Sequence, residues 1–345
     1  LPARFLPGKV LQLGHDDVAE RDGEIVFPRQ EGTAVWSFSG NSTRALLMAG
    51  MQEAGFRVLM EADDNYLVDP PHRLGEWHRS FKTALRCDGH SYEGFRRILG
   101  FCDGAIVSTP FLADVYSRFN DRVYVCRNSV DPDDWPADPP HQPDGVLRVG
   151  WAASDSHRWD APLIHRALDW ASRQPNVRVV VFGIKPEFTG FRFDHDHIGW
   201  TDSLDEYRRQ LSRIDLMLCP LKPSFWADAK SDVKCVEAAM AGAASVPARV
   251  EAYKPWFDRT HTASTPKEFL KVVKHLVKHP DEVRELSRTA REYVLEERTI
   301  QGNIGAWREA VGLGGNRELV GFRGHGRGGV RGLVRAGVVP SREAV

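Results

Sequence analysis

Residues 229–242 read Ala229-Lys230-Ser231-Asp232-Val233-Lys234-Cys235-Val236-Glu237-Ala238-Ala239-Met240-Ala241-Gly242. Ahead of them lies Leu216-Met217-Leu218-Cys219-Pro220-Leu221, of a length suited to a buried strand, and behind them Ala243-Ala244-Ser245-Val246, small and β-compatible. Ser231 or Asp232 supplies a cap and Gly242 a stop, so the spacing predicts loop, short helix and strand. On that helix Lys234 and Glu237 are three residues apart and share a face, with Lys230 just ahead of the first turn. Two ammonium groups near the start of a helix suit a diphosphate, because the free backbone N–H groups and the helix dipole already favour anions there. A carboxylate one turn further on suits sugar or ribose hydroxyls. The same residues also read as a solvated amphipathic helix with an ordinary Lys–Glu pair, and this stretch alone does not separate the two readings.

The whole chain narrows the setting. Its 345 residues suggest two domains. A formal net charge of −1 argues against a dedicated nucleic-acid coat or a polybasic membrane anchor. The five cysteines (87, 102, 126, 219 and 235) are scattered and form no C-x-x-C pair, which fits reduced thiols in a cytoplasm better than a disulfide frame or a zinc site. No uninterrupted apolar run is long enough to span a bilayer, so no stable membrane insertion is expected. The opening residues show no signal-peptide pattern, and a start at Leu1 is read as a missing initiator or longer N-terminal segment.

Upstream, Val10-Leu11-Gln12-Leu13 and Glu24-Ile25-Val26-Phe27 are short apolar runs. A strand at 34–38, a helix at 43–54 stopped by Gly55 and a strand at 57–61 form a βαβ pattern, implying a parallel sheet. Asp63, Asp64 and Asn65 then follow the carboxyl end of a strand, where open α/β sheets carry ligands. Helical spacing runs through 79–100, and strands are expected at 104–108 and 122–126. Residues 131–145 are rich in proline and aspartate and read as an interdomain linker. A second α/β unit opens with Leu147-Arg148-Val149-Gly150-Trp151 and continues through a helix at 162–173 and a strand at 177–182. Amphipathic helix dominates 266–311, with breaks at His279-Pro280 and near Gly302. The closing Gly- and Arg-rich residues cannot bury a core, and a disordered tail is expected there.

This order of pieces resembles the GT-B glycosyltransferases, specifically the large retaining family, group 1, that includes sucrose synthases and bacterial mannosyl- and glucosyltransferases. Glu237-Ala238-Ala239-Met240-Ala241-Gly242 is similar to the family's E-A-M-A-x-G signature, in which the glutamate holds the nucleotide ribose. Ile198-Gly199-Trp200 and Leu218-Cys219-Pro220-Leu221 resemble the segment leading into it. Val107-Ser108-Thr109-Pro110-Phe111-Leu112 and Arg127-Asn128-Ser129-Val130-Asp131 resemble the end of the acceptor half. Val149-Gly150-Trp151, followed by Ser156-His157-Arg158, resembles the phosphate-facing loop that opens the donor half. The family's first glutamate, eight positions before the second and facing the transferred sugar, is replaced by Ala229. A subset with K-S-x-x-K before the glutamate is nearer to this chain.

The resemblance implies an α/β protein of two Rossmann-like domains facing a cleft, with a helical C-terminal run. The expected divisions are an acceptor-side domain over 1–130, the linker, a nucleotide-sugar domain over 146–295, a C-terminal helix over 296–312 with a return to the N-terminal domain as one option, and the tail over 313–345. It implies a cytoplasmic hexosyltransferase, metal-independent and retaining, with no cofactor and a UDP- or GDP-linked sugar as donor. The acceptor is open: a glycan, lipid, protein or modified nucleobase. Fixed cations stabilise the departing diphosphate in such enzymes, and Arg158, Lys230, Lys234 and Glu237 are the catalytic candidates. Trp151, Ser156, His157 and Ser231 are donor-binding candidates, although Trp151 also reads as core and Arg158 as a surface cation. Asp63, Asp64 and Asn65 are acceptor-side candidates. Paired aspartates after a strand also suit Mn²⁺ or Mg²⁺ in a metal-dependent glycosyltransferase, an alternative that leaves the second α/β half unexplained. His195 and His197 have metal-like spacing but read as a polar loop. A nucleotide-sugar-binding protein without turnover, suggested by Ala229, and a nucleotide-sugar epimerase are the remaining alternatives.

Overall fold

The computed structural model describes residues 6, 19–21, 24–26, 32–37, 42–67, 92–137 and 145–313. The run at 10–13, residues 79–91, the Gly/Arg-rich tail beyond 313 and the middle of the 131–145 stretch lie outside the described residues. Among the described residues no helix is long and apolar enough to cross a membrane. The chain divides into two compact units, one over 127–303 and the other made of the earlier residues together with those from 304 on.

In the N-terminal unit, β1 (Ala19–Arg21) and β2 (Glu24–Val26) form an antiparallel pair. The main sheet is built from β3 (Gly32–Ser37), α1 (Ser42–Glu53), β4 (Phe56–Ala62), α2 (Tyr92–Phe101), β5 (Gly104–Val107), α3 (Pro110–Tyr116) and β6 (Val123–Val125). Its strands run parallel in the order β3-β4-β5-β6. The expected βαβ pattern is present, with ends moved by a residue or two. Thr109 caps α3 by accepting from the Leu112 N–H at 3.2 Å, and Pro110 stands in the first turn, where its missing N–H costs nothing.

The C-terminal unit contains β7 (Leu147–Ala153), α4 (Ala161–Ala171), β8 (Val177–Gly183), α5 (Pro186–Thr189), β9 (Asp196–Gly199), α6 (Leu204–Leu211), β10 (Leu216–Cys219), α7 (Phe225–Asp228), α8 (Val233–Ala241) and β11 (Ala244–Pro247). Three helices follow: α9 (Pro266–Lys278), α10 (Pro280–Glu297) and α11 (Ile300–Ala310). All five strands are parallel, in the order β11-β10-β7-β8-β9. Strands buried on both faces read as continuous apolar runs, which is why β8 and β10 stand out in the sequence. One large core fills this unit, from Val149 on β7 through Met240 on α8 to Val294 on α10.

Two connections depart from simple reading. Residues 131–137 are built into the C-terminal unit and are not a free connector. Trp135 is buried, Asp134 pairs with Arg208 at 2.9 Å, and Arg291 donates to the Pro136 carbonyl at 2.6 Å. At the other end, α11 finishes in the N-terminal unit. Ala310 packs with Leu59, Ile106 and Cys126, and Arg57 donates to the Ala310 carbonyl at 2.6 Å and to the Tyr124 hydroxyl at 2.8 Å.

Candidate active site

In the C-terminal sheet the chain leaves β7 toward one side and returns through β10 on the other, so the strand order reverses between these neighbours. Parallel sheets open a crevice at the carboxyl ends of such a pair. Two loops flank it, 154–160 after β7 and 220–232 after β10. They are joined where the Lys222 N–H donates to Asp160 Oδ1 at 2.8 Å.

Asp160 is 4 % exposed, and its second oxygen meets His157 Nδ1 at 2.9 Å. Burial, helped by the nearby Lys234, pulls the His157 imidazole down to about 4. The ring is therefore neutral at physiological pH. Its proton sits on Nδ1, toward the carboxylate, leaving Nε2 as an acceptor.

The loop after β10 leads into α8. Asp232 occupies the cap position, yet its carboxylate makes no capping hydrogen bond. It accepts instead from Arg298 Nη1 at 2.6 Å, Arg298 Nη2 at 2.8 Å and Trp256 Nε1 at 2.9 Å. The first turn of α8 thus keeps its positive end without a side-chain cap. Ser231 Oγ accepts from Asn128 Nδ2 at 2.8 Å.

Lys234 lies in that first turn. Its Nζ is sealed from solvent and has no hydrogen-bond partner among the described residues. Burial lowers its ammonium to about 8, against the opposing pull of Asp160. Lys230 also bears on this group as a like charge, and its own Nζ stands 3.8 Å from the centre of the Trp226 ring. One turn along, Glu237 Oε2 accepts from the Tyr207 hydroxyl at 2.7 Å. Burial raises the Glu237 carboxyl, while Tyr207 and Lys234 favour its ionised form. Tyr207→Phe removes one of that carboxylate's donors and is expected to cost about 1–2 kcal/mol in a urea titration.

The structure gathers Lys230, Lys234, Glu237, His157 and Ser231 about the start of α8, but not every candidate joins them. Trp151 is wholly buried on β7, tilted against Phe191 with ring centres 6.1 Å apart, so it is a core residue and not a donor platform. The Arg158 guanidinium lies over the half-exposed rings of Trp159 and Phe188, 5.2 and 5.4 Å from their centres, and its described contacts are with these rings. Ser156 Oγ meets Ser154 Oγ at 2.8 Å on the exposed side of the same loop. In the N-terminal unit, Asp63 accepts from the Tyr66 hydroxyl at 2.9 Å, and the Asp64 carbonyl accepts from Tyr116 at 2.5 Å. Asn65 is buried, closes a turn by accepting from the Leu67 N–H at 3.2 Å, and leaves Nδ2 without a hydrogen-bond partner among the described residues. Asp63 and Asp64 do not belong to any metal-like cluster among the described residues. His195 and His197 meet the carbonyls of Phe193 and Ile184, His195 just ahead of β9 and His197 on that strand, so the expected polar loop is in part an edge strand. Sequence reasoning missed Asp160, although its position three residues after His157 was a signal, and missed Tyr207 and Asn128, whose partners are distant in sequence.

Residues 160–309 match a family model described as glycosyl transferase-like. No curated protein is similar enough to the chain to count as a match. Among solved structures, the chain is similar to sucrose-phosphate synthase from Thermosynechococcus elongatus, with a TM-score of 0.56, 13% identity, and 79% of this chain and 71% of that one covered. Similarity extends to S. aureus TarM, solved with fondaparinux, alpha-GlcNAc-glycerol and UDP, with a TM-score of 0.54, 14% identity, and 74% of this chain but 51% of that one covered. Trehalose-6-phosphate synthase OtsA gives a TM-score of 0.53 at 10% identity, covering 80% of this chain and 70% of its own.

Proposed function

We propose that the chain, which shares its fold with glycosyltransferases of known structure and matches a glycosyl transferase-like family model over residues 160–309, is a group 1 glycosyltransferase that transfers a hexose from a nucleotide-diphosphate sugar, without a metal and with retention. The observation that carries this reading is the sealed, unpartnered ammonium of Lys234 beside the uncapped start of α8. A buried charge without a partner is costly, and an anion docking against it restores both charge balance and hydrogen bonding. A diphosphate fits, held by Lys234, Lys230 and the first-turn amides of α8. Glu237, positioned by Tyr207, accepts from the ribose hydroxyls, and the His157 Nε2 lone pair accepts from a donor hydroxyl. As the bond from the anomeric carbon to the diphosphate oxygen breaks, negative charge builds on the leaving phosphate and the fixed cations stabilise it. The acceptor hydroxyl oxygen forms the new bond to the anomeric carbon, and its proton passes to the oxygen of the departing diphosphate. The acceptor is a glycan, lipid, protein or modified base, with Asp63 and Asp64 as its candidate contacts and the buried Asn65 shaping the turn that carries them. Retention rests on the family resemblance.

The first test is a thermal-shift series with UDP-, GDP-, ADP- and TDP-sugars, since a ligand that binds only the native state raises its melting temperature. UDP heads the series because TarM, of the same fold, is known with UDP bound. One nucleotide is expected to raise the melting temperature of the wild type and not of Lys234→Met. A shift of equal size in both proteins contradicts the reading.

The pH dependence has a definite sign. Lys234 loses its proton near pH 8, so donor affinity is expected to be level below about pH 7.5 and to fall as pH rises through 8 and 9. His157, already neutral above about pH 4, adds no step near the ordinary histidine range. Calorimetric titration with the nucleoside diphosphate between pH 5 and 10 checks both statements. A flat profile across pH 8 excludes Lys234 as the diphosphate's partner.

A further inference from the structure

Outside this site, three side chains from three separate segments converge on one point. His261 follows the short helical turn Glu251–Trp256, His275 lies in the last turn of α9, and Glu282 lies in the first turn of α10. His261 Nε2 is 2.7 Å from Glu282 Oε1, and His275 Nε2 is 2.7 Å from Glu282 Oε2. All three candidate ligand atoms lie within 4.8 Å of one another.

We propose that His261, His275 and Glu282 bind a Zn²⁺ ion that clips the 259–263 loop to the corner between α9 and α10. Two imidazole nitrogens and a carboxylate oxygen are a donor set for a borderline divalent metal, and they leave a fourth tetrahedral position to water. Calcium and magnesium prefer all-oxygen sites, and soft copper(I) prefers thiolates. Zinc bonds of roughly 2.0–2.1 Å place tetrahedral ligands about 3.4 Å apart, so the two nitrogen–oxygen pairs at 2.7 Å open slightly while all three atoms stay within the 4.8 Å they already span. Each imidazole then presents its Nε2 lone pair to the metal and carries its ring proton on Nδ1.

The surroundings distinguish this cluster from ordinary surface pairing. Neighbouring carboxylates on α10 take arginines one turn away, as Asp281 does with Arg284 and Glu285 with Arg288. Glu282 faces two histidines, one at each oxygen. The rings are also held in advance. His275 packs on His279 with centres 4.3 Å apart, and His279 Nδ1 binds the His275 carbonyl at 2.7 Å. The loop carrying His261 is pinned on both sides, by Thr260 donating to the Ser245 carbonyl at 2.6 Å and by the bridge between Ala263 and Ala248. Preorganised ligands lose little freedom when the ion arrives. The clip bears on α8 as well, because α10 holds the end of that helix through Ser287 and the Gly242 carbonyl at 2.7 Å.

The test is independent of glycosyl transfer. Metal-stripped full-length protein is titrated with Zn²⁺ in a calorimeter and with Co²⁺ by visible absorption. The chain has 13 histidines, so His275→Ala and Glu282→Gln serve as controls for binding elsewhere. The expected result is one equivalent of zinc bound by the wild type, at least tenfold weaker in either variant, with a zinc-dependent rise in melting temperature that the variants lose. Circular dichroism of the metal-free variants, unchanged from wild type, shows that they fold. No binding by the wild type overturns the proposal, and so does equal binding by wild type and variants.

Discussion

Lys234→Met is expected to lower kcat/KM by about 10³-fold and, in the same molecule, to raise the stability of the ligand-free protein. The first effect follows from removing the cation that faces the departing diphosphate, since preorganised electrostatic groups of this kind contribute roughly 3–4 kcal/mol each to transition-state stabilisation. The second follows from the same burial. A lysine whose folded pKa is about 8, against 10.5 unfolded, is held protonated at neutral pH at a cost on the order of 3 kcal/mol. The folded state bears this cost fully below pH 8. Between about pH 8 and 10.5 it has already released its proton while the unfolded chain still holds one, so wild-type stability rises with pH across that window. The advantage of the methionine variant is therefore largest below pH 8 and fades toward pH 10.5. Urea titrations at pH 7 and pH 10 measure it, alongside the activity assay. A variant that is inactive and also destabilised at pH 7 means that Lys234 serves the fold.

The second large effect is on folding. Arg298 and Asp232 are 2 % and 6 % exposed and joined by two hydrogen bonds, with Trp256 adding a third to the carboxylate. Arg298 Nη2 also donates to the Asn128 carbonyl at 2.8 Å. Arg298→Ala leaves a buried carboxylate with Trp256 as its remaining side-chain donor among the described residues, and Asp232→Ala leaves a buried guanidinium without its counter-charge. Each is expected to cost about 3–5 kcal/mol. Replacing both partners, as in Arg298→Met with Asp232→Leu, is expected to be milder than either single change, because the desolvation of the unpaired ion disappears. Chemical denaturation of the wild type, Arg298→Met, Asp232→Leu and the double variant gives the coupling energy. Simple addition of the two single effects contradicts a paired, buried bridge.

The fold was legible because its signals are local. Continuous apolar runs marked β8 and β10, and Gly242, with φ 85°, closes α8 in the left-handed conformation that glycine adopts without strain. The candidate site was legible where its residues lie on or just ahead of one helix: Lys234 and Glu237 share a face of α8 by periodicity, and Lys230 precedes its cap by two residues. Where function depends on distant partners the sequence was silent. Nothing near Asp232 indicates that Arg298, 66 residues on, takes the carboxylate from the capping role. Arg158 reads as a free cation at a helix start, and the aromatic ring that engages it alongside Trp159 is Phe188. Trp151 is ambiguous for a different reason: a strand covered on both faces has no polar alternation to say which side chains face a ligand. Proline and aspartate content suggested an interdomain linker at 131–145, but composition does not register the anchoring of 131–137 by Arg208 and Arg291.

Proton uptake on nucleotide binding tests the central assignment most directly. Calorimetric titrations with the nucleoside diphosphate at pH 8, run in buffers of different ionisation enthalpy, report the protons taken up per site. With Lys234 near pH 8 in the free protein and fully charged against a diphosphate, the wild type is expected to take up about half a proton. Lys234→Met is expected to take up none and to bind far more weakly. Equal uptake by the two proteins, or tight binding by the variant, would show that the diphosphate docks elsewhere.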